Sequence, residues 1–257
     1  MTTPTRAAAL ADLDNAAVPV WMAAQITADA AAGRFARWGR STVVDENTAE
    51  PVLSRELFDE LHEIAGLGGA AGAAAGVAWP IGNAGLLHVY GYLLSTVDTP
   101  HGRKRDRWVD GGVARAFGLP ADAFAPWFVT PSATDSTPLE RITAVVEPFA
   151  ADPADGDFTV LWIDETGAAF APSGSGATPL ARAVVVRDDD SGATALLYAV
   201  GTVDAPLLLT LFPLERFDAD WLEDATVGAP RLRYNAVDER NATSAPLVDR
   251  EVTLRNF

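Results

Sequence analysis

From Ile64 to Val97 the chain contains no Asp, Glu, Lys or Arg. A segment of that length belongs out of water, either in a bilayer or in a protein interior. Its composition decides between the two. It is rich in Gly and Ala, is broken by Pro80-Ile81-Gly82-Asn83, and carries His88. It therefore reads as the buried interior of a soluble protein, and no membrane partner is expected.

The charge-free segment leads into the most informative stretch, Leu86 to Asp110, which holds His88, His101, Tyr90, Tyr92 and the only lysine, Lys104. Lys104 lies inside the densest positive run, Arg103-Lys104-Arg105-Asp106-Arg107. Laid out as a strand, residues 87–97 separate into two faces, because successive side chains point to opposite sides. One face carries His88, Tyr90, Tyr92, Leu94 and Thr96, and the other is apolar core. Aromatic rings with polar tips can be buried only where hydroxyl and imidazole find partners, so the first face is expected to border a polar pocket. Thr99-Pro100-His101-Gly102 reads as a turn. Residues 103–109 are expected to return as a second strand, with Arg103, Arg105 and Arg107 on one face and Lys104 on the other.

The rest of the chain divides on either side of this stretch. Alanine-rich segments with Trp21, Met22, Ile26, Phe35 and Trp38 predict a helix over about 20–33 that ends at Gly33. Asp12 or Asp14 could cap or charge an earlier helical turn. A short strand is possible at Thr42–Val44. Ser54 opens a good helix signature, with Leu53, Leu57, Phe58, Leu61 and Ile64 at helical spacing and Asp59, Glu60, His62 and Glu63 on the outer face. Gly66 to Gly76 offers a partial G-x-G pattern, but it follows a helix where a dinucleotide loop must follow a strand. It is read as close backbone packing, and no cofactor is expected. Val113–Phe117 predicts a short helix closed by Gly118, and Pro148–Asp157 a linker. From Phe158 onward short extended runs alternate with turns, among them Asp188-Asp189-Asp190-Ser191-Gly192 as a hairpin loop.

These elements predict an α+β fold: a helical N-terminal third packed on an antiparallel sheet or partly closed β-barrel. One domain over 1–257 is expected, with a helical part to about residue 80, a strand–turn–strand at 86–110 and a meander over 158–255. The formal charge is −16. Between Pro120 and Ala225 eighteen acidic residues face four arginines. Such a surface repels nucleic-acid backbones and anionic membranes. With no cysteine, disulfides, thiolate metal sites and cysteine nucleophiles are excluded. The three histidines lack the spacing of zinc sites, so no resident metal is expected. No secretory signal is read at the N-terminus, and a cytoplasmic location is the default.

Two functional classes compete. In the first, the protein is an intracellular enzyme acting on a small anionic or hydroxylated metabolite. His88, His101 and Tyr90 would be its catalytic groups, because histidine titrates nearest neutrality. Tyr92, Arg103, Lys104 and Arg105 would bind the ligand, the guanidinium forks suiting a carboxylate or phosphate. Lys104 could also form an imine with a carbonyl compound. In the second class the same aromatic face belongs to a non-catalytic small-molecule-binding or interaction protein. The arginines would then simply offset the chain's own carboxylates.

Overall fold

A computed structural model describes residues 3–15, 17–45, 50–68, 81–99, 102–128, 136–151, 159–165, 179–202 and 205–214. Helix α1 (Arg6–Leu13) is opened by Thr5, whose hydroxyl accepts from the Ala8 N–H at 3.3 Å. Asp12 is therefore not the cap; its carboxylate instead accepts from the Trp21 indole at 2.9 Å. Helix α2 (Val20–Ala31) follows Pro19 and buries Met22, Gln25, Ile26 and Asp29 along one face. It ends where expected, at Gly33, whose φ of 69° suits a residue without a Cβ. A 3₁₀ turn at Arg34–Arg37 leads to β1 (Arg40–Thr42).

Helix α3 (Arg55–Ile64) starts at Ser54 as predicted, the Ser54 hydroxyl accepting from the Leu57 N–H at 3.2 Å. His62, however, is not on its outer face but buried with Phe58 and Leu61. The reason is β2 (Ile81–Asn83), which pairs antiparallel with β1 and presses Gly82 against the imidazole. A Cβ at Gly82 would stand 2.4 Å from His62 Nε2, so only glycine fits this approach.

The largest departure from the sequence reading comes next. Residues 86–94 are not a strand: Leu86–Gly91 is a π-helical segment, continued by α4 (Tyr92–Leu94). Residues 104–109 are likewise helical, α5 (Lys104–Val109). Alternation misleads here because nearly all side chains from Leu86 to Leu94 are buried, so no exposed face imposes a period on the pattern.

After α6 (Gly112–Ala116), closed at Gly118 as expected, α7 runs from Pro138 to Ala151. It continues through Pro148, where a linker was expected. Pro148 and Ala144, the residue whose carbonyl loses its helical donor, both face solvent, so water can take the vacated bond. The C-terminal sheet is antiparallel in the order β3-β4-β5-β6, formed by Thr159–Glu165, Pro179–Arg187, Thr194–Thr202 and Ala205–Leu214. The turn joining β4 to β5 is the acidic hairpin tip read from the sequence, with Asp188 accepting from both the N–H and the hydroxyl of Ser191. Among the described residues the sheet is open and does not close into a barrel.

One apolar core joins the helices to this sheet. Val184, Val186, Ala195, Leu197, Leu208 and Leu211 share it with side chains from α2, α3, the π segment, α6 and α7. The chain itself makes a second connection: Trp38 bridges Leu208 in parallel, and the Gly39 N–H donates to the Leu208 carbonyl at 2.8 Å. The approach at Gly39 is close, since a Cβ there would lie 2.3 Å from Leu209 Cδ2 and would force that side chain to shift. Among the described residues no helix is long and apolar enough to cross a membrane. The rest of the glycine-rich run beyond Gly68 and residues 215–257 lie outside the described residues.

Candidate functional site

The helical path of residues 86–94 redistributes the side chains that strand parity had grouped. Tyr90 parts from the other two. It is fully buried, and its hydroxyl donates to Asp29 Oδ2 on α2 at 2.5 Å. Asp29 also accepts from the Thr137 hydroxyl at 2.5 Å and from Arg34 Nη1 at 3.0 Å. Arg34 reaches on to Glu140 at 2.9 Å. Burial pushes the Asp29 carboxyl above its ordinary range, opposed by these donors, and burial with the Asp29 charge pushes the Tyr90 phenol up as well. The cluster fastens α2 to the π segment and to the start of α7, where Thr137 accepts from the Glu140 N–H at 3.1 Å. Both Asp29 and Tyr90 are sealed from solvent.

His88 and Tyr92, four residues apart, meet edge to face with ring centroids 4.8 Å apart. Lys104 joins them from the first turn of α5, its ammonium 5.6 Å from the Tyr92 ring centroid. Its Nζ also lies 2.9 Å from Asp45 Oδ2, an ion pair rather than an aligned hydrogen bond. The Asp45 side chain is fully buried, whereas the lysine side chain retains 19% of its surface in solvent. His88 is buried, and its Nδ1 has no well-formed hydrogen bond. Burial, with the Lys104 ammonium adding to it, lowers the His88 pKa to about 3 against a weaker pull from the Ala84 carbonyl. The imidazole is therefore neutral near pH 7 and is a weak base there.

The arginines go elsewhere, because a helical turn points neighbouring residues in different directions. Arg105 is buried and saturated: it donates to the Leu93 carbonyl at 2.8 Å, the Leu13 carbonyl at 2.6 Å and Asp14 at 2.6 Å. Arg103 is exposed and pairs with Asp98 at 3.0 Å. Of the residues singled out from the sequence, His88, Tyr92 and Lys104 thus come together, while Tyr90, Arg103 and Arg105 do not. His101 lies outside the described residues.

Two carboxylates matter that sequence reasoning did not single out. Asp29 carried a usable signal, standing at helical spacing from Met22 and Ile26 on the buried face of α2. Asp45, in a polar connector, carried none. Among the described residues no three His, Asp or Glu side chains gather as metal ligands would. No protein-family model, curated protein or solved structure matches the chain.

Proposed function

We propose that this is a small-molecule-binding protein whose site is formed by Lys104, Asp45, Tyr92 and His88, and whose ligand is small, hydroxylated and uncharged. The observation that carries the proposal is the Lys104–Asp45 pair, 2.9 Å apart, in which the lysine side chain is partly exposed. It sets a charge-paired ammonium beside an aromatic ring, an arrangement that suits hydroxylated molecules, whose oxygens can accept from the lysine while their carbon skeleton packs on the ring. The pair is neutral as a unit, and His88 at a pKa of about 3 adds no charge near pH 7. A bare anion would find no surplus cation here, since both candidate arginines are committed to other partners. The π-helical turn supports the choice of place, because such turns cost helix geometry and are frequent at functional sites. Binding fits better than acid–base catalysis, as the neutral imidazole and the sealed Tyr90 phenol are poorly placed to exchange protons with a ligand. One folding unit over the chain accords with the core shared by helices and sheet.

The test is a calorimetric screen of the full chain against neutral polyols and simple sugars beside small carboxylates and phosphate. A neutral polyol that binds, and whose binding is lost in Lys104→Met, supports the proposal. Tighter binding of carboxylate or phosphate than of any polyol overturns it. A ligand at a hundred times its Kd should also stabilise the fold by about 2.7 kcal/mol.

A further inference from the structure

The imidazole of His62 stands apart from this site and is held in a single hydrogen-bonding state. It stacks on Phe58 with centroids 4.1 Å apart and an interplanar angle of 23°. Nδ1 lies 2.8 Å from the Phe58 carbonyl, which can only accept, so Nδ1 carries the proton. Nε2 must then be the acceptor, and it receives the Asn83 N–H at 3.3 Å. Asn83 is itself a hub. Its Nδ2 donates to the Phe35 carbonyl at 3.0 Å, and its Oδ1 accepts from the Leu86 N–H at 3.2 Å, the first amide of the π segment. That segment carries His88, and Tyr92 follows at its end.

We infer that His62 is an acid-sensitive positioning residue that acts through Asn83 on the helical turn bearing His88 and Tyr92. Protonation would put a second N–H on Nε2, facing the Asn83 N–H with no acceptor between them. Asn83 cannot stay in place without leaving two buried donors opposed, and displacing it withdraws the cap from Leu86. The charged surroundings offer the imidazolium little relief. On its own helix Asp59 favours the charged form weakly. Ile81, Gly82 and Asn83 on β2 bring no charge, and from Ala65 to Val97 the sequence has no ionised carboxylate at all. Burial accordingly lowers the His62 pKa below the ordinary 6.5. By linkage, the stability His62 contributes is full above 6.5 and is lost as pH falls from there through the folded value. His88, titrating near 3, lies well below the upper part of that window.

The experiment follows the His62 ring and the backbone amides by NMR in the full chain as pH is lowered. After correction for intrinsic exchange, protection of the Asn83 and Leu86 amides should fall about tenfold or more in step with the His62 ring signal. His62→Gln, which keeps an acceptor but cannot titrate, should show a flat profile. Unchanged protection while the His62 ring titrates overturns the inference, as does the same profile in His62→Gln. If His62→Gln does not fold, the wild-type ring and amide titrations decide alone: coincident midpoints support the coupling and separate midpoints reject it. None of these readouts needs a ligand, so the inference can fail without the binding proposal, and the reverse.

Discussion

Asp29 and Asp45 both place a carboxylate where water does not reach, yet the two are held in opposite ways. Asp29 is met by a tyrosine hydroxyl, a threonine hydroxyl and an arginine, all fixed by surrounding helices. Asp45 faces a lysine whose ammonium lies over the Tyr92 ring and whose side chain is partly exposed. The first arrangement is closed: its donors are committed, and Tyr90 and Asp29 have no exposed surface left for another molecule. The second rests on a long donor whose side chain is not fully enclosed. A buried carboxylate thus marks a structural tie when its donors are short and rigid, and a candidate site when the donor is long and reaches solvent.

The sharpest way to break this contrast is to remove Asp29. Asp29→Ala removes the acceptor that the buried Tyr90 and Thr137 hydroxyls share, at about 1–3 kcal/mol each, so a loss of about 2–6 kcal/mol in denaturant unfolding is expected. Asp29→Asn should stay within about 1 kcal/mol of wild type, because both hydroxyls can rotate to donate or accept. Burial raises the Asp29 pKa above 3.8, so the folded state favours the protonated carboxyl. Its stabilising effect is full below 3.8 and is lost as pH rises through the folded value, and Asp29→Asn should abolish that dependence. If Asp29→Asn is as harmful as Asp29→Ala, the charge itself and not the acceptor geometry holds the tie.

Lys104→Met should cost somewhat less, about 2–3 kcal/mol, because the lysine is not fully desolvated and Asp45 can relax toward the space it leaves. Adding Asp45→Asn should recover part of the loss, since removing the lysine takes one charged partner from a buried carboxylate. A double variant no more stable than Lys104→Met would show that Asp45 is satisfied by its other surroundings, and the contrast with Asp29 would weaken.

Arg105 tests the same distinction within the cationic run. Its fork donates in three directions, which an ammonium cannot reproduce in that planar geometry. Arg105→Lys should therefore lower stability by about 1–2 kcal/mol while leaving polyol binding at Lys104 intact. Loss of binding without loss of stability would put Arg105 in the ligand site after all.

How much of this was legible follows from where water lies. The helix from Ser54 and the strands at 180–187, 193–200 and 207–212 could be read because caps, turns or regular breaks punctuate them. The acidic tip at 188–192 was equally clear. Residues 86–94 could not be read as a helix, because a segment buried on every side has no period to betray its conformation. That error grouped Tyr90 with His88 and Tyr92, and the separate reading of 103–109 as a strand put Lys104 on the face opposite the arginines. His88 and Tyr92 stayed together because a spacing of four serves strand and helix alike. His62 was misplaced for a different reason: its helix has a clear amphipathic pattern, but β2, which covers its polar side, was hidden in a stretch read as a break.

The smallest effect is expected at Arg103. It shares the cationic run with Arg105 and Lys104, and sequence alone gave all three the same role. The structure leaves it at the start of α5, half exposed, paired with Asp98, whose side chain is 82% exposed. The proximity of Asp98 raises the Arg103 pKa, but an arginine is charged throughout the working range, so this changes no protonation state. Ion pairs in such surroundings are screened by water and salt, and ordering two long side chains offsets most of what they gain. Arg103→Ala should therefore leave the thermal midpoint unchanged within error at 0.15 M salt, and leave polyol binding unchanged by calorimetry. A clear drop in binding, with the fold intact, would mean that the ligand extends past Lys104 toward residues 98–103. It would also mean that the ligand carries an acidic group for the guanidinium to hold. The proposed neutrality of the ligand is thus most directly exposed to refutation at the residue expected to matter least.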